Sequence, residues 1–409
     1  MAKALTMPIG KTTRVRSKKL LWLLFASYFT FGLVLNVVGV IIPVLIKQYH
    51  LSLFAGGLLA FAFYISFGVC SVPAGLLADR TGPKPVVLSG LFLMGAGCLA
   101  MPWAINFPAI ALLAFFIGAG VALLQTAGNP LIEKLDRPDN YHRNLTLTIG
   151  FCGIGAFTGP LCLYALQSHG EPWQRLYLGF SILCGVLLVL LFLSTFPPEQ
   201  NQKREKVRLP EIVKLLSHPI AITYTFAIFF YVGAEVGTAS WIVKFFEQVH
   251  GVNPASTSGT FLSFNLPAIS VLTVSLFWGL QGIGRLISGP LITKLGPRST
   301  LRWYSVAALG CLLLATIASK NITAMAFAAC GFFTSVLFSL LFSGAIHTFS
   351  ESQGALSGLL ITASIGGAFI PPLVGLTADH FGLRIAMLVP AFCFLYVLAV
   401  SLVGKAKYE

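Results

Sequence analysis

Four side chains that can hydrogen bond or carry charge recur at helical spacing within the apolar stretch near 220–246. They are Tyr231, Glu235, Thr238 and Trp241, separated by four, three and three residues, so a helix places them on one face. Glu235 lies near the middle of the stretch, where a carboxyl group shielded from water can take up and release a proton. The stripe predicts a polar binding site with Glu235 as its ion-coupling group.

A second apolar stretch, near 266–293, carries a similar stripe. Trp278, Gln281 and Arg285 are separated by three and four residues. Arg285 is expected to belong to a gate or to meet the solute. A direct ion pair with Glu235 is not expected, because helical rise puts the two residues roughly 22 Å (Glu235) and 12 Å (Arg285) from the same membrane face.

A third stretch, near 108–132, holds Gln125 and Asn129 one helical turn apart, directly before Pro130. Polar side chains are costly in hydrocarbon, about 2.5–3.5 kcal/mol for charged groups, so each is a functional candidate. The residues predicted to bind substrate are Asn36, Gln125, Asn129, Tyr231, Trp241, Trp278 and Gln281. The alternatives are that the amides join neighbouring helices and that the tryptophans only pack.

The composition explains what positions these residues. Of 409 residues, 56% are hydrophobic and only 10% are charged, against about 25% charged in soluble proteins. We therefore predict an all-α polytopic membrane protein. Its twelve expected spans, numbered one to twelve below, lie near 20–46, 53–77, 85–105, 108–132, 144–167, 174–196, 220–246, 266–293, 301–318, 322–348, 355–378 and 383–404.

The net charge of +14 follows from membrane topology. Most of the 27 lysines and arginines fall in segments that lie inside the cell if the N-terminus does, so both termini are predicted to be cytoplasmic. The partners of these charges are then anionic lipid headgroups, and no nucleic acid is expected. All eight cysteines fall within spans, so neither a disulfide framework nor a metal or cofactor site is expected.

A polar interruption divides six spans from six. The predicted organisation is a cytoplasmic tail (1–19), a six-helix bundle (20–196), a cytoplasmic linker (197–219), a second six-helix bundle (220–404) and a short tail (405–409). The pattern G-x6-G-P-[KR] follows span two at Gly75–Lys84 and span eight at Gly289–Arg298, 214 residues later. Copies in the same topological slot indicate a parallel repeat of the two bundles.

The first copy, with Asp79, Arg80 and Lys84, resembles the signature loop of the major facilitator superfamily, G-x-x-x-D-R-x-G-[RP]-[RK]. That resemblance implies a gating role for the three residues, with the helix start at 354–357 as the partner of Asp79. An ordinary tight turn with charges that set topology is the alternative. The second copy has Thr293 in the place of Asp79.

Four further motifs resemble the branch of that superfamily that contains fucose:proton symporters and bacterial glucose/galactose transporters. They are Y-V-G-A-E-V from Tyr231, W-G-x4-G-R from Trp278, Q-T-A-x-N-P from Gln125, and S-G-L-L-x4-G-G-x3-P-P from Ser357. The resemblance implies a transporter of the inner (plasma) membrane, expected to be a monomer. It also implies import of a small sugar-like solute, with a proton or sodium ion, around a site at the membrane midplane.

This sequence departs from the branch at several positions. Val38 and Gly39 stand where an Asn-Asp pair is usual, and Ile149 and Cys152 fall where span five has sugar-binding amides. These losses favour the alternative of an importer or exporter of a siderophore or amphipathic compound. A membrane enzyme is not expected, since the sequence has no metal-ligand cluster, nucleophile–base pair or phosphate loop.

Overall fold

A computed structural model of the chain describes residues 17–135, 141–196, 217–254, 256–261, 264–348 and 353–403. The apolar runs are helical because a helix satisfies its own backbone N–H and C=O groups, which hydrocarbon cannot do. Helices in the first half are Lys18–Asn36, Val38–Tyr49, Leu53–Thr81, Pro83–Ala100, Phe107–Lys134, Tyr141–Ser168 and Gln174–Phe192. Helices in the second half are Pro219–His250, Ile269–Leu295, Pro297–Ile317, Lys320–Thr334, Leu337–Thr348, Gln353–Thr362, Gly366–Ala386 and Leu388–Val403.

The predicted number of spans matches these helices when those that continue across a kink are joined. Within the described residues, 11 segments are long and apolar enough to cross a membrane. The twelfth is the shorter helix Leu388–Val403, preceded by one turn of helix at 383–386. Gly382, with φ of 78°, separates spans eleven and twelve. The all-α polytopic fold is therefore confirmed.

The approach to span eight differs from the prediction. The helix begins at Ile269, and before it Thr257–Phe261 and Phe264–Pro267 form an antiparallel strand pair. Pro267 explains the late start, because proline disfavours helix for the residue before it and lacks a backbone donor.

Three spans are interrupted at points that the sequence prediction treated as continuous helix. Span one changes helix at Val37, and span ten is broken between Thr334 and Leu337. Span eleven passes through a short 3-10 turn at Ala363–Ile365. Each break leaves backbone groups that need partners from neighbouring spans.

The two halves are in backbone contact near one membrane face. Twelve spans place the start of span one and the end of span twelve on the same face, called proximal here, and the opposite face is called distal. In the distal part, a Cβ on Gly57 of span two would lie 2.7 Å from Cα of Pro372 in span eleven. A Cβ on Gly39 of span one would lie 2.8 Å from the carbonyl oxygen of Ala239 in span seven. The halves are thus in backbone contact on the distal side.

The basic residue of the G-x6-G-P-[KR] repeat has the same contact in both halves. Lys84 Nζ donates to the carbonyl oxygens of Phe192 (2.9 Å) and Ser194 (3.1 Å), at the end of span six. Arg298 donates to the carbonyl oxygens of Ser401 (3.3 Å) and Leu402 (3.0 Å), at the end of span twelve. Each repeat therefore joins the start of one helix to the end of its bundle's last helix, where a positive charge is favoured.

We expect Lys84→Met to lower the stability of the first bundle by about 1–2 kcal/mol, because two helix-end carbonyls lose their charged donor. The same change at Arg298 is expected to have a similar effect on the second bundle. Thermal unfolding of the purified protein in detergent measures both, with Lys47→Met, at an exposed lysine, as the control. Unchanged midpoints in both variants would contradict this anchoring role.

Candidate functional site

A buried polar cluster lies between spans seven, eight and ten. Glu235, 8% exposed, accepts a hydrogen bond from the Tyr231 hydroxyl at 2.8 Å and another from Gln281 Nε2. The Arg285 guanidinium lies 3.9 Å from the same Glu235 oxygen. Three of these four residues are ones that the sequence stripes predicted to face a common site.

The contact between Arg285 and Glu235 corrects the expectation that their depths keep them apart. Spans seven and eight run in opposite directions, and side chains on a helix lean toward its N-terminus. Glu235 therefore leans toward the proximal face and Arg285 toward the distal face, so the two side chains converge across their difference in depth. Depth counted from Cα positions alone overestimates their separation.

The break in span ten supplies the other side of the cluster. The carbonyl oxygen of Thr334 accepts from the Tyr231 hydroxyl at 3.0 Å, and that of Ser335 accepts from Arg285 Nε at 3.2 Å. Sequence reasoning missed both residues. The only available signal was the Thr-Ser pair inside an apolar run, which is weak because hydroxyl side chains also occur in unbroken spans.

Tyr231 has one hydroxyl hydrogen and two acceptors within hydrogen-bond distance, Glu235 Oε1 and the Thr334 carbonyl oxygen. A carboxylate at Glu235 can accept that hydrogen in addition to one from Gln281. A protonated carboxyl group can donate its own hydrogen to the tyrosine oxygen, which leaves the tyrosine hydrogen for Thr334. In this geometry Tyr231 can direct its hydrogen to either of the two oxygens.

Six side-chain polar atoms in the described part of the chain are buried without a hydrogen-bond partner, and two of them lie beside features described above. Thr238 Oγ1 lies one turn beyond Glu235 on span seven. Asn36 uses Nδ2 on the carbonyl oxygen of Gly32 at 2.9 Å, while its Oδ1 has no partner. Both residues are next to features already described, the Glu235 cluster and the break in span one, and they could bond water or solute.

The other predicted substrate residues fall into different surroundings. In the first half, Asn129 Oδ1 accepts from the Tyr28 hydroxyl at 2.5 Å, and Gln125 is half-buried one turn away. In the second half, Trp241 is fully buried and donates its indole N–H to the carbonyl oxygen of Pro371 at 3.0 Å. Trp278 is half-buried near the Glu235 cluster, one turn before Gln281. Trp241 therefore packs within the second half in this conformation, while Trp278 remains accessible.

The predicted gate residues are only partly placed. Arg80 is exposed at the end of span two, and Lys84 anchors span six as described above. The side chain of Asp79 and most of the helix start at 354–357 lie outside the described side chains. The proposed partnership between them stays a prediction.

Comparison with known proteins places these features in a family. Residues 24–280 match the model of the Major Facilitator Superfamily. A putative glucose/galactose transporter of Helicobacter pylori (strain J99) is 27% identical over 94% of this chain and 97% of its own length. The L-fucose-proton symporter of Escherichia coli (strain K12) is 25% identical over 91% of this chain and 90% of its own length.

The fold is shared with solved transporters. A crystal structure of the Escherichia coli fucose:proton symporter aligns with a TM-score of 0.65 at 21% identity, covering 95% of this chain and 99% of that one. The predicted class, a multi-pass membrane transporter rather than an enzyme, is confirmed by the family model, which matches well over half of the chain. The chain therefore belongs to the Major Facilitator Superfamily.

Proposed function

We propose that the chain is a secondary active transporter that moves a small sugar-like solute together with a proton, and that Glu235 carries the proton. The observation that supports this most directly is the contact of the buried Glu235 with Tyr231, Gln281 and the partly exposed Arg285. The names of the full-length relatives, glucose/galactose transporter and L-fucose-proton symporter, support the solute class.

The cluster offers a physical route from proton to conformation. When Glu235 is ionised, it accepts from Tyr231 and Gln281 and attracts the Arg285 guanidinium. When it binds a proton, the attraction to Arg285 weakens and Tyr231 turns its hydrogen to the Thr334 carbonyl oxygen. Because Arg285 also bonds Ser335, both changes act on the break in span ten. Breaks of this kind are points where a helix can change direction at low cost.

A sugar offers hydroxyl groups for amides and an apolar ring face for an aromatic side chain. Gln125 and Asn129 in the first half, and Gln281 and Trp278 in the second, supply these two kinds of contact. Asn36 and Tyr231 complete the proposed site, with Arg285 as a residue that meets either the solute or the proximal gate.

The position of Gly39 supports coupling from the second half. Relatives of the fucose symporter type usually have an acid there, but a Cβ at Gly39 would lie 2.8 Å from the Ala239 carbonyl oxygen in this conformation. A carboxylate side chain has no room at that contact while the distal side is closed. In the proposed mechanism the proton carrier is instead Glu235, a buried acid one helical turn before Ala239 on span seven.

The loss of the span-one acid also supports a second candidate function, transport of a siderophore or an amphipathic compound.

The remaining features of the proposal follow from the distribution of charge and the twelve spans. The protein acts as a monomer in the inner (plasma) membrane, with both termini in the cytoplasm and six-helix bundles at 20–196 and 220–404. A sodium ion replaces the proton if a sodium gradient alone drives uptake.

We expect Glu235→Gln to abolish gradient-driven accumulation of glucose, galactose or fucose in proteoliposomes. The variant cannot exchange a proton at position 235, so solute should only equilibrate or exchange across the membrane. The control is Glu247→Gln on the same span, where the acid pairs with Lys244 at 2.9 Å near the distal end.

Three results of this assay are informative. Accumulation by the variant equal to that of the unmodified protein would remove Glu235 from the coupling mechanism. Uptake driven only by sodium would identify sodium as the coupling ion. No uptake of the three sugars by correctly folded protein would contradict the sugar assignment and favour the second candidate.

Tyr231→Phe is expected to loosen coupling without preventing solute movement. The change removes one hydrogen bond to a charged acceptor, worth about 1.5–3 kcal/mol, so the accumulation ratio should fall by at least about tenfold. Counterflow exchange at zero proton gradient should remain near that of the unmodified protein. Tyr177→Phe, which removes a buried hydroxyl on span six, is the matched control, and an equal loss in that variant would contradict the role of Tyr231.

A further inference from the structure

A carboxylate of the second half is bound to the first turn of a helix in the first half. Asp379, near the distal end of span eleven, accepts from the backbone N–H of Leu53 through Oδ1 and from that of Phe54 through Oδ2, both at 2.8 Å. Leu53 is the first residue of span two. The first N–H groups of a helix have no partner within it and carry partial positive charge, so a carboxylate is favoured there.

The helix has its own cap, so Asp379 is not needed to begin it. Ser52 precedes the helix and accepts from the N–H of Ala55. Ser52 leaves the backbone N–H groups of Leu53 and Phe54 without a partner, and Asp379 accepts from both. Asp379 lies 326 residues after Leu53 in the chain. Its contact therefore links the halves in addition to completing a helix end.

Backbone packing directly below holds the carboxylate in place. A Cβ on Gly375, one turn before Asp379, would overlap the carbonyl group of Leu53. One turn further from the distal face, Gly57 lies against Pro372. Spans two and eleven are therefore in contact over two turns, and a movement that separates them on the distal side breaks both bonds to Asp379.

The same local pattern occurs at the opposite ends of these two spans. Asp379, Gly382 and Arg384 repeat the spacing of Asp79, Gly82 and Lys84. Gly82 and Gly382 have nearly the same left-handed φ, 83° and 78°, so the two turns have similar backbone conformations. One turn follows span two on the proximal side, and the other follows span eleven on the distal side.

We propose that Asp379 is a gating residue that holds the distal side closed and releases the first turn of span two each time that side opens. The role depends on the rocking of two halves, which the fold of the family provides, and is independent of the solute and of Glu235. In this role, Asp379 on span eleven holds the start of span two by its hydrogen bonds, as a latch between the two halves. The predicted latch of Asp79 against the start of span eleven would be its counterpart on the proximal side.

The test is a distance measurement between the halves on the distal side. Spin labels at His50→Cys and Lys320→Cys, both exposed at the distal ends of spans one and ten, report opening in the full-length protein in lipid nanodiscs. The natural cysteines are replaced in this background. Asp379→Ala removes both acceptors, Asp379→Asn removes the charge, and Ser52→Ala removes the helix's own cap while leaving the link between the halves.

We expect Asp379→Ala to raise the ratio of distal-open to distal-closed protein by roughly three- to tenfold, seen as a longer distance component. Asp379→Asn should give a smaller increase, and Ser52→Ala should leave the distances unchanged. An unchanged distance distribution in both Asp379 variants would overturn the proposal. An equal shift in Ser52→Ala would also overturn it, since the effect would then come from fraying of the helix end.

If Asp379→Ala and Asp379→Asn fold poorly, Asp379→Glu answers the same question with the same pair of spin labels. The longer carboxylate cannot reach both N–H groups across the packed Gly375 contact, so it should raise the share of the longer distance component. No rise would overturn the proposal.

Discussion

The structure depends on one constraint, that a backbone polar group in hydrocarbon must find a partner inside the protein. Unbroken helix meets this requirement without side chains. Where a helix ends or breaks, either a capping residue of the same segment or a side chain from another span supplies the bond. Lys84 and Arg298 do so at the ends of spans six and twelve, and Asp379 does so at the start of span two.

The same constraint explains why the proposed coupling group is near a helix break. The break in span ten exposes two carbonyl oxygens, and Tyr231 and Arg285, which bind them, are also the neighbours of Glu235. A change in charge at Glu235 therefore reaches backbone atoms through one intermediate side chain. A carboxyl group packed only against intact helices would have no comparable route to the backbone.

The sequence predicted the spans and the stripes well, because both follow from helical periodicity within a single segment. Glu235, Tyr231 and Gln281 were predicted to face one site and are found together. The helix breaks were not predicted, since Thr334 and Ser335 are compatible with continuous helix. Contacts between segments were the hardest to predict. Arg285 was expected to lie away from Glu235, but the two are in contact. No sequence signal indicates that Lys84 anchors span six. The contact of Asp379 with Leu53 depends on packing between residues that are 326 positions apart.

The departure at Gly39 connects the interface with the proposed coupling mechanism. Gly39 lies against Ala239, and Glu235 is one helical turn before Ala239 on the same span. The acid expected on span one is therefore absent from the contact between the halves, while an acid on span seven lies one turn away from that contact. In the proposed mechanism, the charge that couples transport lies one turn from the contact between the halves, where a change of burial would alter the cost of keeping it ionised. Glycine on the other side lets the two backbones meet.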